Sequence, residues 1–464
     1  MNIKSKILTV VTLLFGFHHL LAQTPVDTLK IDLNEAISIA LSESPTIKID
    51  SLEITKLGYA QKESYGGLMP KIDLAAQYQR TIKKQTMYMD KSSMGFGGPM
   101  PGDTSGIAMP DDDEPLAIQF GRWNMWTGGV NATLPLVVPS LWKSLDLSEI
   151  DLTLAVEKSR ANKITLINNV KKSFYSLLFA QETYNVFKKT YYKDSVNYNN
   201  IKAKYDQGVA SEYDMIIAKV QMQNNIPNIL QAKNMMRIAE LQLKIFMGTD
   251  DNIAIAAVGS LQYYKDNTNT DLTKLIEPNL SNNSDLKQFD IQKQKAQTAL
   301  EVVKLQRLPS LIGTFGYNYI SQNDDFKFRD YKWSPYSTAG ITLAIPLFNG
   351  FQRHYSIKQT EISLQQLDLQ RINLKRSLQL GIKNNIGIIE NTLEQLETAK
   401  STIDMAEKGY EIALKMYDTG LATIVELNSA SLAITNTNLK YQNILYEYLN
   451  AQADLEKIIG DNIE

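Results

Sequence analysis

Acid–base and metal chemistry at neutral pH lean on histidine, and this 464-residue chain has only three. His18 and His19 fall in an apolar leader, which leaves His354 alone in the body of the chain. A Ser-His-Asp triad, a two-histidine zinc site or a His-paired base would each have to use that residue. His354 follows "FNGFQR" in the first turns of a helical pattern and reads as an ordinary surface or groove residue. Cysteine is absent, which excludes disulfides, thiol nucleophiles, thiolate metal sites and lipidated cysteine. Met87, Met89, Met94, Met100 and Met109 carry thioethers of the kind that bind Cu(I) or Ag(I). They stand in a stretch rich in Gly, Pro and Asp (87–115), and we read them as incidental residues of an exposed loop. Gly128-Gly129 lacks the Lys-Ser/Thr of a phosphate loop and lies inside a strand pattern. These residues offer no catalytic constellation, no metal site and no cofactor.

Charge is equally uninformative about anionic partners. Lys+Arg number 48 and Asp+Glu 50, a net charge of −2 that gives no footprint for nucleic acid. The N-terminus has Lys4 and Lys6, an apolar run from Ile7 to Phe17, and Leu20-Leu21-Ala22 as a cleavage site. This is the pattern of a secretory signal peptide over 1–22, too short in its apolar run for a spanning helix. No later stretch holds 18 uninterrupted apolar residues.

The elements that would position any site come in two copies. "LPLVVP" (134–139) parallels "IPLFNG" (345–350) at a shift of 211, from Pro135 to Pro346. "YDQGVASEYDMIIAKV" (205–220) parallels "YDTGLATIVELNSASL" (417–432) at 212, from Gly208 to Gly420. A unit of this size repeated twice is not a solenoid of short repeats. The first repeat covers 23–249: a helix, strands at about 71–82 and 118–135, and a helical hairpin at 140–247. Residues 250–272 link the two repeats. The second repeat covers 273–464, with strands at about 310–321 and 335–346 and a hairpin at 350–459. In the strands one face is apolar and the other small or polar, and aromatics gather near the ends, as in an outer-membrane barrel. Pro135 and Pro346 mark the steps from strand to long helix, because proline cannot donate to a ladder. The helices keep a seven-residue apolar spacing: Leu396, Ala399, Ile403, Ala406, Tyr410, Ala413, Tyr417. Shifted by 212 the same seam reads Tyr184, Phe187, Tyr191, Asp194, Tyr198, Ile201, Tyr205, with Asp194 its one polar member. Such spacing means coiled-coil packing. Four strands cannot close a barrel, and lipid forbids an open edge. Two copies would give eight strands and a filled lumen, three would give twelve and room for water.

The stretches "LNEAISIALSESPTIK" (33–48) and "IPLFNGFQR" (345–353), with the two Y-D-x-G turns each followed by an acidic residue, resemble the outer membrane factors, the TolC-like efflux proteins. The resemblance covers nearly all of the chain after the leader. It implies an α+β membrane protein: a homotrimeric 12-stranded barrel, four strands per protomer, continued by a coiled-coil periplasmic tunnel, with 250–272 as an equatorial linker. It implies a non-enzymatic export duct in the Gram-negative outer membrane, partnered by a periplasmic adaptor and an inner-membrane RND, ABC or similar pump. The docking tips would be Gly208, Val209, Ala210 and Ser211, with Gly420, Leu421, Ala422 and Thr423. The entrance gate would fall on Glu426 and Asp214. Ser429 stands where the family has a second entrance aspartate, which weakens any double ring. Carboxylates crowded about an axis would have raised pKa values. Two other classes fit the residues less well. A periplasmic adaptor needs one hairpin and soluble β-domains, and a secreted enzyme needs more than one histidine and a recognisable cleft.

Overall fold

The computed structural model describes residues 29–89, 116–250, 252–267 and 280–460. The leader (1–22), Met94, Met100 and Met109, and the end of the equatorial segment lie outside the described residues. The chain divides into a helical unit (residues up to 56, 153–292 and 366–464) and a strand unit (57–152 and 293–365).

The helical unit begins with β1 (Leu29–Ile31) and α1 (Leu33–Glu43). Asp32 opens α1 with a capping box: its side chain accepts from the Glu35 amide, and the Glu35 carboxylate accepts from the Asp32 amide. Helix α2 (Pro45–Gly66) starts at once, so the expected single helix of the first repeat breaks at Ser44-Pro45, where proline takes the first helical position. Two long hairpins hold most of the helical residues. The first is α3 (Pro139–Asp206) with α4 (Glu212–Met247). After the equatorial segment comes α6 (Ser284–Leu305), and the second hairpin is α7 (Gln352–Asp418) with α8 (Ile424–Ile459). Phe174, Leu177, Leu178, Leu243, Met247, Leu445 and Leu449 form the centre of the main core. The equatorial segment is more than a linker. Its β6 (Ile255–Ala257) pairs in parallel with β1, and Ile255 together with Leu261, the first residue of α5 (Leu261–Asn267), is buried in the same core.

In the strand unit, β2 (Lys71–Arg80), β5 (Asn124–Val137), β7 (Ser310–Asn323) and β8 (Ser334–Ala344) form one antiparallel sheet in the order β2-β5-β7-β8. The expected strand 118–135 is two strands. β4 (Leu116–Phe120) pairs with β3 (Gln85–Met89) in a separate two-stranded ladder, and β5 joins the main sheet. The 87–115 stretch is an insertion of the first repeat relative to the second, and its base is a ladder to which Met87 and Met89 belong. The reading of Pro135 as a strand end is corrected. Pro135 pairs with Ile312, the register shifts between Pro135 and Val137, and the helix begins at Pro139. The bulge accommodates the missing N–H, and the strand continues past it. In the second repeat β8 ends at Ala344, ahead of Pro346. The chain then passes through two left-handed residues, Gly350 and Phe351, both at φ 63°, before α7.

Side chains alternate across this sheet as β-geometry demands. Ile72, Leu74, Val130, Phe315, Tyr317, Ile341 and Leu343 share one face, and it is bare: Leu74 is 83 % exposed and Ile341 71 %. The other face carries Gln77, Thr127, Asn131, Thr133, Thr314 and Asn318. Each asparagine on it stands opposite a glycine, Asn131 against Gly316 and Asn318 against Gly129. That leaves room for the Asn318 amide to donate to Asn131 Oδ1 at 3.1 Å. At the far end of the sheet Tyr78 lies 4.4 Å from Trp126, and Trp126 lies 4.8 Å from Phe328 in the β7–β8 connection. Asp324 ties that connection down, accepting from Arg122 at 2.6 Å and from the Trp123 amide at 2.9 Å. The Arg122 guanidinium holds its carboxyl down to about 2.

Candidate gate at the hairpin turns

The two hairpins turn through the same backbone construction. In the first, Gly208 takes φ 74°, and the amides of Gly208 and Val209 reach the carbonyls of Tyr205 and Lys204, each at 2.8 Å. In the second, Gly420 takes φ 76°, and the amides of Gly420 and Leu421 reach Tyr417 and Met416 at 3.1 and 2.8 Å. A left-handed residue is needed to fold the chain back over the last carbonyls, and glycine supplies it without a Cβ penalty. The returning helices are capped by Ser211 and Thr423, whose hydroxyls accept from the amides of Asp214 and Glu426. Between glycine and cap lie Val209 and Ala210, and Leu421 and Ala422. Val209 and Leu421 are strongly exposed for apolar residues, at 74 % and 75 %.

Asp214 and Glu426 both occupy the third position of their helices, but differ in what they do there. Glu426 Oε2 accepts from the Thr423 amide at 2.7 Å and faces the Thr423 hydroxyl at 3.0 Å. The backbone hydrogen bond from Thr423 is the larger of the two effects that hold the Glu426 carboxyl below the usual range. Within one chain this opposes the upward shift expected from crowding about an axis. Asp214 is one methylene shorter, and α4 has only the Ser211 half of the box. Ser429 is exposed, and its hydroxyl donates back to the Val425 carbonyl at 2.8 Å. Carbonyl donation along its own helix is what a serine does when no outside partner claims it.

The hairpins meet just above the turns. Ile201, Ala218, Ile424 and Leu427 are buried together, with Tyr198, Tyr410 and Tyr417 packed on them. Burial, then the charges of Asp214 and Asp418, pushes the Tyr417 hydroxyl up. Lys204 bridges α3 to α7 through Asp418 at 2.9 Å, with its ammonium 5.5 Å from the Tyr417 ring centre. No motif in the sequence marks Lys204 or gives Tyr417 a role at the turns. Tyr417 was visible only as a member of the apolar seam. His354 is exposed and stands edge-on to Tyr355 at 5.4 Å. Among the described residues no group of three His, Cys, Asp or Glu could hold a metal ion, and no helix is long and apolar enough to cross a membrane.

Two long helical hairpins, a four-stranded sheet with one bare apolar face and an internal duplication are the architecture shared with TolC-like outer membrane channels. The sequence model of the outer membrane efflux protein family matches residues 36–249 and 275–461, one segment in each repeat, and the chain belongs to that family. Outer membrane protein TolC of Vibrio cholerae is 23% identical over 351 residues, which cover 73% of this chain and 77% of that one. TolC of Escherichia coli K12 is 19% identical over 349 residues, 73% of this chain and 70% of that protein. Among solved structures, the Campylobacter jejuni CmeC outer membrane channel superposes with a TM-score of 0.68 at 18% identity, covering 93% of this chain and 86% of that one. The Vibrio cholerae outer membrane protein VceC gives 0.69 at 14% identity, covering 93% and 97%. The fold is that of the TolC-like channels, and the protein is an outer-membrane efflux protein.

Proposed function

We propose that the chain is one subunit of a homotrimeric, passive export duct, joined through a periplasmic adaptor to an RND, ABC or similar pump in the inner membrane. One observation carries this reading: an open four-stranded sheet with an exposed apolar face and two edges, β2 and β8, that are unpaired among the described residues. In lipid those edges need partners, because no water is present to satisfy their backbone groups. Pairing β8 of one copy with β2 of the next in a ring of three gives twelve strands. The Gln, Thr, Asn and Gly of the inner face suit a lumen filled with water, where eight strands would fill it with side chains. The paired hairpins of three copies then form the periplasmic tunnel, with their turns at its entrance. Three copies of Glu426, and beside them Asp214, line that entrance and bind cations, while Ser429 leaves the second ring uncharged. The chain performs no chemistry on what it passes. The pump selects the cargo.

The turns are the adaptor contact on this reading. Their exposed residues are small or apolar, and Val209 and Leu421 project without neighbours to pack on. Replacing both by Asp puts charge where apolar contact is needed and leaves the caps Ser211 and Thr423 intact. In a strain lacking the native gene, the Val209→Asp/Leu421→Asp protein is expected to reach the outer membrane at wild-type level and to restore no resistance to toxic compounds. Full resistance with the double variant would refute docking at the turns.

A further inference from the structure

The apolar core of the helical unit is interrupted by a polar band. On α3, every buried residue between Ala180 and Ile201 is polar: Thr183, Thr190 and Asp194. On α8 the buried residues between Leu427 and Ile444 are Ser431 and Thr435. On α4 the band holds Asn225, two residues from the helix-interior Pro227. The main core lies on one side of this band, and the small cluster of Ile201, Ala218, Ile424 and Leu427 lies on the side of the turns.

Asp194 is the centre of the band. It is 3 % exposed, and both carboxylate oxygens are engaged. Asn225 Nδ2 of α4 donates to Oδ2 at 2.8 Å, with Gln221 Nε2 at 3.5 Å, and the Ser431 hydroxyl of α8 donates to Oδ1 at 3.1 Å. One turn away the hydroxyls of Thr190 and Thr435 lie 3.0 Å apart, again α3 to α8. The neighbouring residue, Lys193, sets its ammonium 4.1 Å from the centre of the Tyr410 ring on α7. Two adjacent side chains of α3 thus reach each of the other three long helices at one level. That level is 14 residues from Gly208, or about 20 Å along the helix. A buried carboxylate is tolerated only while its hydrogen bonds are made, so separating α8 from α3 here is costly. Apolar seams can slide, whereas this contact has one register. On α4, Pro227 denies the Gln223 carbonyl its helical donor, which weakens that helix beside the band.

We infer that Asp194 is a clasp that fixes the second hairpin to the first, and that the segment between this band and the turns loosens as a unit when the clasp is broken. This deepens the duct reading and rests on it: the clasp sets how far from the entrance the hairpins part.

Hydrogen exchange on the full-length protein in detergent tests it. In Ser431→Ala, which removes only the bond from Asp194 to the second hairpin, amides in 195–224 and 411–430 are expected to exchange about tenfold faster or more. Amides in 166–180 and 444–455 are expected to keep the wild-type rate. Asp194→Ala should exceed Ser431→Ala in the same windows, and if it does not fold, Ser431→Ala carries the comparison. The chain has no cysteine, so a Thr190→Cys/Thr435→Cys disulfide in the Ser431→Ala background gives a clean rescue. Oxidation should restore slow exchange, and reduction should release it. Unchanged exchange in Ser431→Ala, or an equal rise in both windows, overturns the clasp. Bilayer recordings on the same preparations separate the two readings. Ser431→Ala should conduct several-fold more than the wild type, and a current equal to wild type would overturn the clasp's place in gating. A wild-type protein that carries no current would refute the duct, while the exchange comparison would still decide the clasp.

Discussion

Glu426→Gln is expected to weaken divalent-cation block of the reconstituted channel by about tenfold or more, while the protein stays folded and assembles as the wild type does. Glutamine serves the third position of a capping box as well as glutamate does. The Thr423 amide keeps its acceptor, and the start of α8 is preserved. What is lost is charge. In a threefold assembly three carboxylates leave the entrance together, and Coulomb attraction for a divalent ion falls with each. The sign with pH follows from the capping box. Because the hydrogen bonds from Thr423 favour the charged form, Glu426 stays ionised above the ordinary glutamate value of about 4.3. Within one chain these hydrogen bonds oppose the upward shift from crowding, so block of the wild type should persist at pH 6. Asp214→Asn should have a smaller effect of the same sign. Recording block by a divalent cation across pH 4–8 for wild type and Glu426→Gln checks both statements. Equal block in the two proteins would remove Glu426 from the gate.

Gly129→Ala is expected to abolish recovery of folded protein from the outer membrane, whereas Gly128→Ala should be recovered near wild-type level. A Cβ at Gly129 would stand 2.3 Å from the Tyr317 carbonyl oxygen and 2.5 Å from Asn318 Cα. β5 is an interior strand, paired on both sides, so neither its own backbone nor that of β7 can yield cheaply. Overpacking of this kind typically costs about 1–3 kcal/mol even where side chains can move aside, and here backbone must move. At Gly128 the nearest atom to an added Cβ is 3.8 Å away, an ordinary contact. Heat-modifiable mobility of outer-membrane extracts, with and without boiling, reads the two outcomes. A folded Gly129→Ala species at wild-type abundance would contradict the packing of the Asn131–Asn318 pair.

Much of this architecture is legible in the sequence because it is repetitive. The shift of 212 aligns Gly208 with Gly420 and Ser211 with Thr423, and the backbone repeats with it, bond for bond. Period-two alternation in "KIDLAAQYQR" is enough to orient Leu74, since a strand has only two faces. Elements fixed by distant or short pairings were not legible. The β1–β6 pair joins Leu29 to Ile255 over three residues, too few for any period to show. The β3–β4 ladder flanks a stretch whose Gly and Pro content reads as loop, because composition reports the middle of the insertion and not its base. Pro135 misled because a strand can carry a proline at a bulge. At the turns, the glycines and caps were readable from residue type. That Glu426 closes a box and Asp214 does not depends on one methylene and on the geometry of the cap. Asp194 was visible as the polar exception in an apolar seam, but its partners Asn225 and Ser431 lie on other helices, and no spacing along the chain connects them.

The central claim is that this sheet is incomplete until three copies close it. The most direct measurement is the mass of the particle extracted by mild detergent from outer membrane, determined by native mass spectrometry. A complex of three mature chains, which inserts into planar bilayers as a single conducting unit, is the predicted result. A water-soluble monomer, or a two-chain particle, would contradict the account.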